Sequence, residues 1–519
     1  MTLYIARRST ARLLGTGLLW LTTTMAGATS AVVAPTNPPL YAVNSIAVDS
    51  LLLAAPQLPD LKPYSAEAVY AKIKPKPAGT VVVRGMLKEN ALAEFTGGDE
   101  RLREWVKRQG ETPQAIFIDG GYVTPADLAR SLPEKYFRET APGVYLARLP
   151  IVVSQRATLH IGKQTKDFRL SSERGAFLIN DGKLFITDSR LTAWRETGNQ
   201  QDWFKTKGEF RPFLNAWGGT ETYIVNSHIA SLGYSGTKSY GVSISQYSPG
   251  IAPTMGRGHP TGWLIDSVFD DMWYGFYCYE ADDVVLKGNT YKNNIVYGID
   301  PHDRSRRLII AGNTVYGTQK KHGIIISRDV NDSWIFNNRS FDNNLSGLVL
   351  DRLSINNVVA DNELYRNKSD GITLYESGNN LLWANKSFEN ARHGIRVRNS
   401  MNVRLYENLA VANGLLGIYG HTKDLNNVGR NLKQDPYSAD MSLTVVGGRL
   451  IANRTGDISV VAPRSVKLYR LEILLPNQPS GIGMFGALSS HKNQIIDLLV
   501  RQKKAVEILP VDQLAQSGQ

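Results

Sequence analysis

The chain has 519 residues, of which 42% are hydrophobic and 20% charged, an ordinary composition for a globular protein. Its formal net charge of +12 favours an anionic partner. The single cysteine, Cys278, excludes an intrachain disulfide, and the eight scattered histidines form no cluster typical of a metal site. The 46 glycines, with many asparagines in the second half, indicate turns rather than long helices.

Residues 1–28 have the features of a secretory signal peptide. Three arginines between residues 7 and 12 precede an apolar stretch over 13–25, and small residues follow at 26–28. The stretch is short for a spanning helix, so we expect no membrane span in the mature chain. Removing these residues subtracts three arginines and no acids, and the net charge falls from +12 to +9. An exported chain of this charge favours an acidic polysaccharide over nucleic acid.

Residues 29–170 are predicted to form a linker followed by a mixed α/β cap region. The first part, to about residue 75, is rich in Pro, Ala and Val and has no clear period. Two strands and two helices are predicted in the rest, over residues 81–83, 115–118, 91–108 and 124–132. Thr124 is the expected N-cap of the second helix, because Pro125 follows it at the first turn.

From residue 171 the chain becomes repetitive, and the repeat predicts the fold. A glycine before an apolar residue recurs at positions 275, 298, 323, 347, 371, 394 and 417, at intervals of 23 to 25 residues. Asparagines recur at positions 289, 313, 338, 362, 385 and 408, which predicts a buried ladder of stacked amides. Short strands in repeats of this length are typical of a parallel β-helix with one coil per repeat.

We therefore predict an all-β parallel β-helix over residues 171–463, with coils of 23 to 25 residues. Gly241 starts an earlier coil, and a loop over 247–260 separates it from Gly275. Residues 464–519 are predicted to cap the open end, with a helix over 491–507.

The register within each coil predicts which side chains share a face. Positions one and three after the glycine are apolar and should face inward, whereas positions two and four should face outward. Position four supplies an outer ladder of His302, Ser327, Asp351, Tyr375 and Arg398. Position five places Arg328 and Arg352 beside this ladder, and Asp300, at position two, should lie on the same outer face.

The segment 298–305, which begins at one of the repeat glycines, contains a dense cluster of polar groups. His302 lies between Asp300 and Asp303, either of which could orient its imidazole and stabilise the cation. A lone histidine is usually structural, but this one projects from a strand and precedes Arg328 by one coil. For Arg328 an ion pair within the ladder is an equally good interpretation, with Asp329, Asp351 or Asp303 as the partner.

Within this segment the run Tyr297–Ser305, YGIDPHDRS, resembles the signature of the periplasmic mannuronan C5-epimerases of alginate-producing bacteria. The resemblance covers essentially the whole mature chain. It implies a right-handed parallel β-helix in the periplasm that converts β-D-mannuronate to α-L-guluronate within polymannuronate during alginate biosynthesis. It also implies that no cofactor and no calcium are needed. Polymannuronate is the expected partner, together with other periplasmic proteins of alginate export.

The resemblance also implies roles for individual residues. His302 would be the base, Arg328 would neutralise the substrate carboxylate, and Asp300 and Asp303 would support the site. Inversion at C5 also needs a proton donor on the opposite ring face, for which the candidates are Tyr375, Tyr316 and a bound water molecule. The remaining candidates for support and substrate binding come from the same face and are Arg304, Asp351, Arg352, Tyr375 and Arg398.

Three other functions use similar residues. A polyuronate lyase would share the proton abstraction and then expel the substituent at O4. A glycoside hydrolase needs two carboxyl groups, which Asp300 with Asp303 or Asp351 could supply. A non-catalytic protein that binds an acidic polysaccharide during export would need only the positive charge.

Overall fold

The structure is a computed structural model. It describes residues 39–86, 92, 99–236, 238–433, 435–474 and 482–514. The predicted signal peptide, residues 1–28, lies outside these residues, as does most of 91–98 at the start of a predicted helix. Within the described ranges no helix has both the length and the apolar character needed to cross a membrane.

Most strands stack in parallel into three columns, and each coil contributes strands to them. The first column contains Ala157–Ile161, Lys183–Thr187, Glu221–Val225, Thr261–Ile265, Val285–Lys287, Ile309–Ala311, Trp334–Phe336, Val358–Ala360, Leu381–Trp383, Val403–Tyr406, Ser442–Val446 and Ser465–Tyr469. The second contains Ile151–Val153, Leu178–Asn180, Leu214–Ala216, Gly241–Ser245, Tyr274–Tyr279, Tyr297–His302, Ile324–Ser327, Leu348–Asp351, Ile372–Tyr375, Ile395–Arg398, Leu416–His421, Gly456–Val461 and Met484–Gly486. The long strand Gln114–Val123 pairs with both columns and joins them into one sheet.

The third column forms a separate sheet. Its parallel strands are Val144–Ala147, Asp167–Ser171, Arg190–Arg195, His228–Ala230, Val268–Asp270, Thr290–Lys292, Thr314–Tyr316, Arg339–Phe341, Glu363–Tyr365, Lys386–Phe388, Leu409–Val411, Arg449–Ile451 and Glu472–Leu474. The strands that pair antiparallel with these columns or with one another are Tyr41–Ile46, Thr80–Gly85, Phe137–Ala141, Gln200–Gln201 and Ala505–Pro510.

The helices among the described residues are short. They are Ala66–Tyr70, Asp99–Gln109, Pro125–Ser131, Ala252–Met255, Lys492–Ile496 and Val511–Leu514, with 3₁₀ turns at Asp49–Leu51 and Ser489–His491 and a π turn at Asp497–Arg501. The predicted helix over 124–132 is confirmed, and Thr124 and Asp127 form a capping box at its start. The predicted loop over 247–260 is also present and contains Ala252–Met255.

The inward positions of the coils line one continuous core. Ile299, Ile324 and Ile326 are fully buried in it, as the alternation predicts. The repeated glycines are required by close packing between coils. A Cβ at Gly298 would collide with the Val315 side chain and with the backbone of the next coil. This space restriction, rather than turn geometry, explains the glycine repeat.

The predicted asparagine ladder is present and buried. Asn313 donates its backbone N–H and its side-chain amide to Asn338 Oδ1, at 2.9 and 3.0 Å. Asn338 repeats the pattern on Asn362, and its amide also donates to the Ile310 carbonyl at 2.8 Å. Each amide thus satisfies backbone groups of its neighbours, which links every coil to the next at one register.

The described part of the predicted linker, residues 39–75, packs against the solenoid, so the prediction of a linker is wrong there. Tyr41–Ile46 pairs antiparallel with Ala505–Pro510 at the C-terminal end of the first column. The chain then returns along the outside of that column, where Leu51, Leu58 and Val69 pack in turn near its end, its middle and its start. Apolar residues without a period suit an extended segment that lies across many coils.

The stacked coils extend beyond the predicted limits of 171 and 463. Ile151–Val153 already stacks in parallel on Gln114–Val123, and Ser465–Tyr469 continues the first column. The helix predicted over 491–507 is wrong in its second half, where Ala505–Pro510 is a strand. This strand pairs antiparallel with Ser465–Tyr469 on one side and with Tyr41–Ile46 on the other.

We expect Asn338→Ala to lower the free energy of unfolding by about 2 to 3 kcal/mol, because two buried donors of Asn313 lose their acceptor. Denaturant unfolding followed by circular dichroism measures the change. Asn427 is exposed, and Asn427→Ala should alter the free energy by less than about 0.5 kcal/mol. Equal effects of the two substitutions would contradict the structural role of the ladder.

Candidate active site

The outer face of the second column carries the predicted ladder. His302 pairs in register with Ser327, Ser327 with Asp351, Asp351 with Tyr375, and Tyr375 with Arg398. The parallel hydrogen bonds hold successive members about 4.8 Å apart. The repeat in the sequence therefore predicted this row of side chains correctly.

His302 is oriented by its neighbour in the sequence. The strand Tyr297–His302 ends at His302, and Asp303 adopts a left-handed backbone with φ of 36°. Its carboxylate accepts a hydrogen bond from His302 Nδ1 at 2.6 Å. Because the carboxylate oxygen is the acceptor, Nδ1 carries the proton and Nε2 keeps its lone pair in the neutral ring.

The same carboxylate also contacts Arg328. Asp303 Oδ2 binds His302, and Asp303 Oδ1 lies 3.5 Å from Arg328 Nη1. Arg328 belongs to the next coil and, like Asp303, follows its strand in the left-handed region. Asp303 thus connects an imidazole and a guanidinium that are 26 positions apart in the sequence.

Charge raises the pKa of His302. Burial alone would lower it, but the hydrogen bond to Asp303 and the negative charges of Asp300 and Asp303 outweigh burial. Burial would raise the pKa of Asp303, yet the hydrogen bond and charge of His302, with Arg328, hold it below its usual value. The imidazole is therefore poised to accept a proton while its carboxylate partner stays ionised.

Asp300 lies on the outer side of its strand, but it is not exposed as predicted. Asp300 is only 2% exposed. It pairs in register with Tyr277, whose ring centroid lies 5.9 Å from that of the His302 ring. Burial raises the pKa of Asp300 to about 7, with the charge of His302 opposing it. Within the residues that the structure describes, none donates a hydrogen bond to its Oδ1. Asp300 therefore forms the floor of the site.

Asp435 belongs to the site and was not predicted. Its Oδ1 accepts from Arg328 Nε and Nη2 at 3.1 and 3.0 Å, and its Oδ2 lies 3.4 Å from Arg352 Nη1. Arg352 also donates to Asp351 at 2.8 Å. The sequence offered one signal, since the interval from Gly417 to Gly456 is 39 residues and so leaves room for an insertion.

The other predicted residues lie at different distances from His302. Arg304 turns to the preceding coil, where it binds Glu280 at 2.6 Å. Tyr375 lies three strands from His302, and the Arg398 guanidinium covers its ring at 3.9 Å. Tyr316 is in the third column, stacked on Phe341, and does not reach this face.

No group of three or more His, Cys, Asp or Glu side chains within the described ranges is placed to hold a metal ion. Around His302 this face presents imidazole, guanidinium and carboxylate groups. Such a set can bind a carboxylate and transfer a proton beside it.

Comparison with known proteins gives the family. Residues 258–410 match the family described as right handed beta helix region. The mannuronan C5-epimerase of Pseudomonas aeruginosa is 60% identical over 476 residues, which cover 92% of this chain and 88% of that protein. AlgG of Azotobacter vinelandii is 59% identical over 477 residues, covering 92% and 91%.

The chain belongs to the mannuronan C5-epimerase family.

A solved structure of the periplasmic alginate epimerase AlgG is 55% identical to it, with a TM-score of 0.80, and covers 81% of this chain and 100% of that one. The predicted fold, a right-handed parallel β-helix, is confirmed. The predicted membership in the mannuronan C5-epimerases is likewise confirmed.

We expect Asp303→Asn to lower the pKa of His302, because the substitution removes the hydrogen-bonded carboxylate that raises it, while burial and the charge of Arg328 still lower it. NMR titration of histidine-labelled protein measures this pKa, and His302→Gln identifies the resonance. The control is Asp361→Asn, at an exposed position outside the site. An unchanged pKa in Asp303→Asn would show that the pair does not control the imidazole.

Proposed function

We propose that this protein converts mannuronate residues of polymannuronate to guluronate by epimerisation at C5, with His302 as the base. The supporting observation is the triad in which Asp303 holds the His302 imidazole and lies beside Arg328. It places a base with a free lone pair next to a guanidinium that binds carboxylates. Membership in the mannuronan C5-epimerase family is consistent with this chemistry.

The Arg328 guanidinium stabilises the negative charge that makes the reaction difficult. The proton at C5 is next to a carboxylate, so its removal gives a dianionic enolate, which is very unfavourable in water. Arg328 presents Nε and Nη2 toward a single carboxylate oxygen, as its contacts with Asp435 show. A guanidinium in this position stabilises the charge that develops in the transition state.

His302 takes the proton. Its Nδ1–H is held by Asp303, so Nε2 is the acceptor, and the charge of Asp303 stabilises the imidazolium that forms. Asp300, whose pKa burial raises to about 7, lies two positions before His302 on the same strand and contributes a second negative charge when ionised. Because the pKa of His302 is raised, the neutral base is lost as the pH falls through that value.

Water is the proposed proton donor. Inversion at C5 requires a proton from the face opposite His302. Tyr375 lies three strand spacings, or about 14 Å, from His302 along the column. That separation is too large for both groups to reach one sugar carbon, and Tyr316 is on another face. The role proposed for Tyr375, with Arg398, is to bind neighbouring sugar units.

The proposal extends to the location and partner of the enzyme. The predicted signal peptide and the family suggest the periplasm, where polymannuronate would meet the enzyme during export. Contacts with other proteins of alginate export belong to the same proposal. Cleavage of residues 1–28 can be tested by sequencing the N-terminus of protein recovered from the periplasmic fraction.

Incubating polymannuronate with the protein in deuterated water should place deuterium at C5 of the guluronate formed, without unsaturated chain ends. NMR of the polymer follows both signals. His302→Gln should lower the rate by about 10² to 10⁴. Unsaturated ends with shorter chains would identify a lyase, and new reducing ends without deuterium a hydrolase. Binding without any of these changes would identify a binding protein.

Arg328→Ala should lower kcat/KM by at least about 10², because the enolate loses its main positive partner. Measured with the same NMR assay, Arg328→Lys should recover only part of the loss, since lysine lacks the fork of donors. Arg339, in the third column and paired with Glu363, provides the control, and Arg339→Ala should leave kcat/KM unchanged. A loss that is equal in the Arg328 and Arg339 variants would contradict the assigned role.

A further inference from the structure

Asp435 lies in a long insertion between two coils. Ile418 pairs with Ile458, an interval of 40 residues, whereas Ile395 and Ile418 are separated by 23, so this coil has 17 extra residues. We call the insertion the crossing segment, described at residues 422–433 and 435–441. It leaves the second column after Leu416–His421 and returns at Ser442 in the first.

The crossing segment runs back over the active-site face. Arg430 binds Glu376 at 2.7 Å, and Asp435 binds Arg328, which lies four strands before Leu416–His421 in the second column. Four strand spacings correspond to about 19 Å. The segment therefore reaches from its own coil to the site of the proposed reaction.

At that point Asp435 occupies a carboxylate site. Arg328 donates twice to one oxygen of Asp435, and Arg352 lies 3.4 Å from the other. Two guanidinium groups thus hold one carboxylate, one arginine at each oxygen. A uronate carboxylate has the same charge and the same pair of oxygens, so it would be bound by the same groups.

The contacts that hold the crossing segment in place are mostly polar, and they are largely buried: the Arg430 and Glu376 side chains are 12% and 2% exposed, and that of Asp435 is 13% exposed. Leu425, at 4% exposure, is its main buried side chain before Met441, whereas Val428 is 50% exposed and Leu432 36%. The segment has no helix or strand among its described residues. Desolvation offsets much of the attraction within buried ion pairs, and segments with few buried apolar contacts open readily.

Neither arginine needs Asp435 to remain paired. Arg328 Nη1 lies 3.5 Å from Asp303, and Arg352 Nε is 2.8 Å from Asp351. When Asp435 leaves, each guanidinium keeps a carboxylate neighbour and its position on the face. These contacts indicate that Asp435 is an exchangeable occupant of the site. They do not support a role for Asp435 in holding the two arginines in place.

We propose that Asp435 is an internal occupant of the carboxylate site formed by Arg328 and Arg352, and that polymannuronate binds by displacing it together with the crossing segment. The proposal rests on the function proposed above, in which Arg328 binds the substrate carboxylate. It adds Arg352 as the second ligand of that carboxylate and Asp435 as the group that competes with it.

The first test compares Asp435→Asn with the wild type by titration with mannuronate oligomers at fixed ionic strength. We expect Kd to fall about three- to tenfold, because the closed form no longer competes, and kcat not to fall. Asp361→Asn removes the same charge from an exposed corner of the solenoid, and its Kd should be unchanged. An unchanged or higher Kd in Asp435→Asn would overturn the proposal, as would a lower kcat, which would indicate a positioning residue.

The second test follows amide hydrogen exchange in the crossing segment. The backbone N–H of Lys423 donates to Asn399 Oδ1 of the solenoid at 2.7 Å in the closed form. Saturating mannuronate oligomers should make this amide exchange several-fold faster, with His302→Gln used to prevent turnover. Slower or unchanged exchange would show that the segment stays closed over the substrate and would refute displacement.

The two proposals can fail separately. Absence of solvent deuterium at C5 in the wild type would refute the proposed reaction, although oligomers could still displace Asp435. Normal deuterium incorporation with an unchanged Kd in Asp435→Asn would refute only the competition.

Discussion

The register between neighbouring coils is the constraint on which the active site depends. Asp303 N–H donates to the Ser327 carbonyl at 3.0 Å, and Arg328 N–H donates to the Asp351 carbonyl at 2.9 Å. These backbone bonds place His302 and Arg328 on adjacent coils. A slip of one residue would turn the imidazole toward the core. The buried asparagine ladder and the close contacts at the glycines admit one register, so residues far from the chemistry hold the catalytic groups together.

A second regularity places the charged groups beside the ladder. Asp303, Arg328, Arg352 and Glu376 follow their strands in the left-handed region, with φ of 36°, 62°, 50° and 49°. This conformation costs roughly 1 to 2 kcal/mol for a residue other than glycine. It recurs after six successive strands of the second column, from Glu280 to Asn399, and ends each of them. Two parallel rows of side chains result, and the corner row supplies both Asp303 and Arg328.

Much of the fold and part of the site could be predicted because the repeat encodes local register. The spacing of the glycines is enough to place His302 and Arg328 on neighbouring coils. The burial of Asp300 and the position of Tyr316 depend on how the columns meet, which alternation along one strand does not specify. Asp435 lies 107 positions from Arg328. No period in the sequence relates an insertion to the coils over which it folds.

The arginines of this face are paired before any substrate binds. A half-buried guanidinium without a partner would be costly, because burial removes its hydration. Arg328 therefore has Asp303 and Asp435, Arg352 has Asp351, and the remaining arginines of the ladder have similar partners. Binding a polyuronate then exchanges one carboxylate for another rather than filling an empty cationic site.

The electrostatic gain on binding is therefore smaller than the chain's net charge suggests. Affinity depends on how well the spacing of the substrate carboxylates matches the spacing of the coils. A polyanion with a different charge spacing would displace the internal carboxylates without making equally good contacts with the arginines. The paired arginines therefore select the substrate as well as bind it.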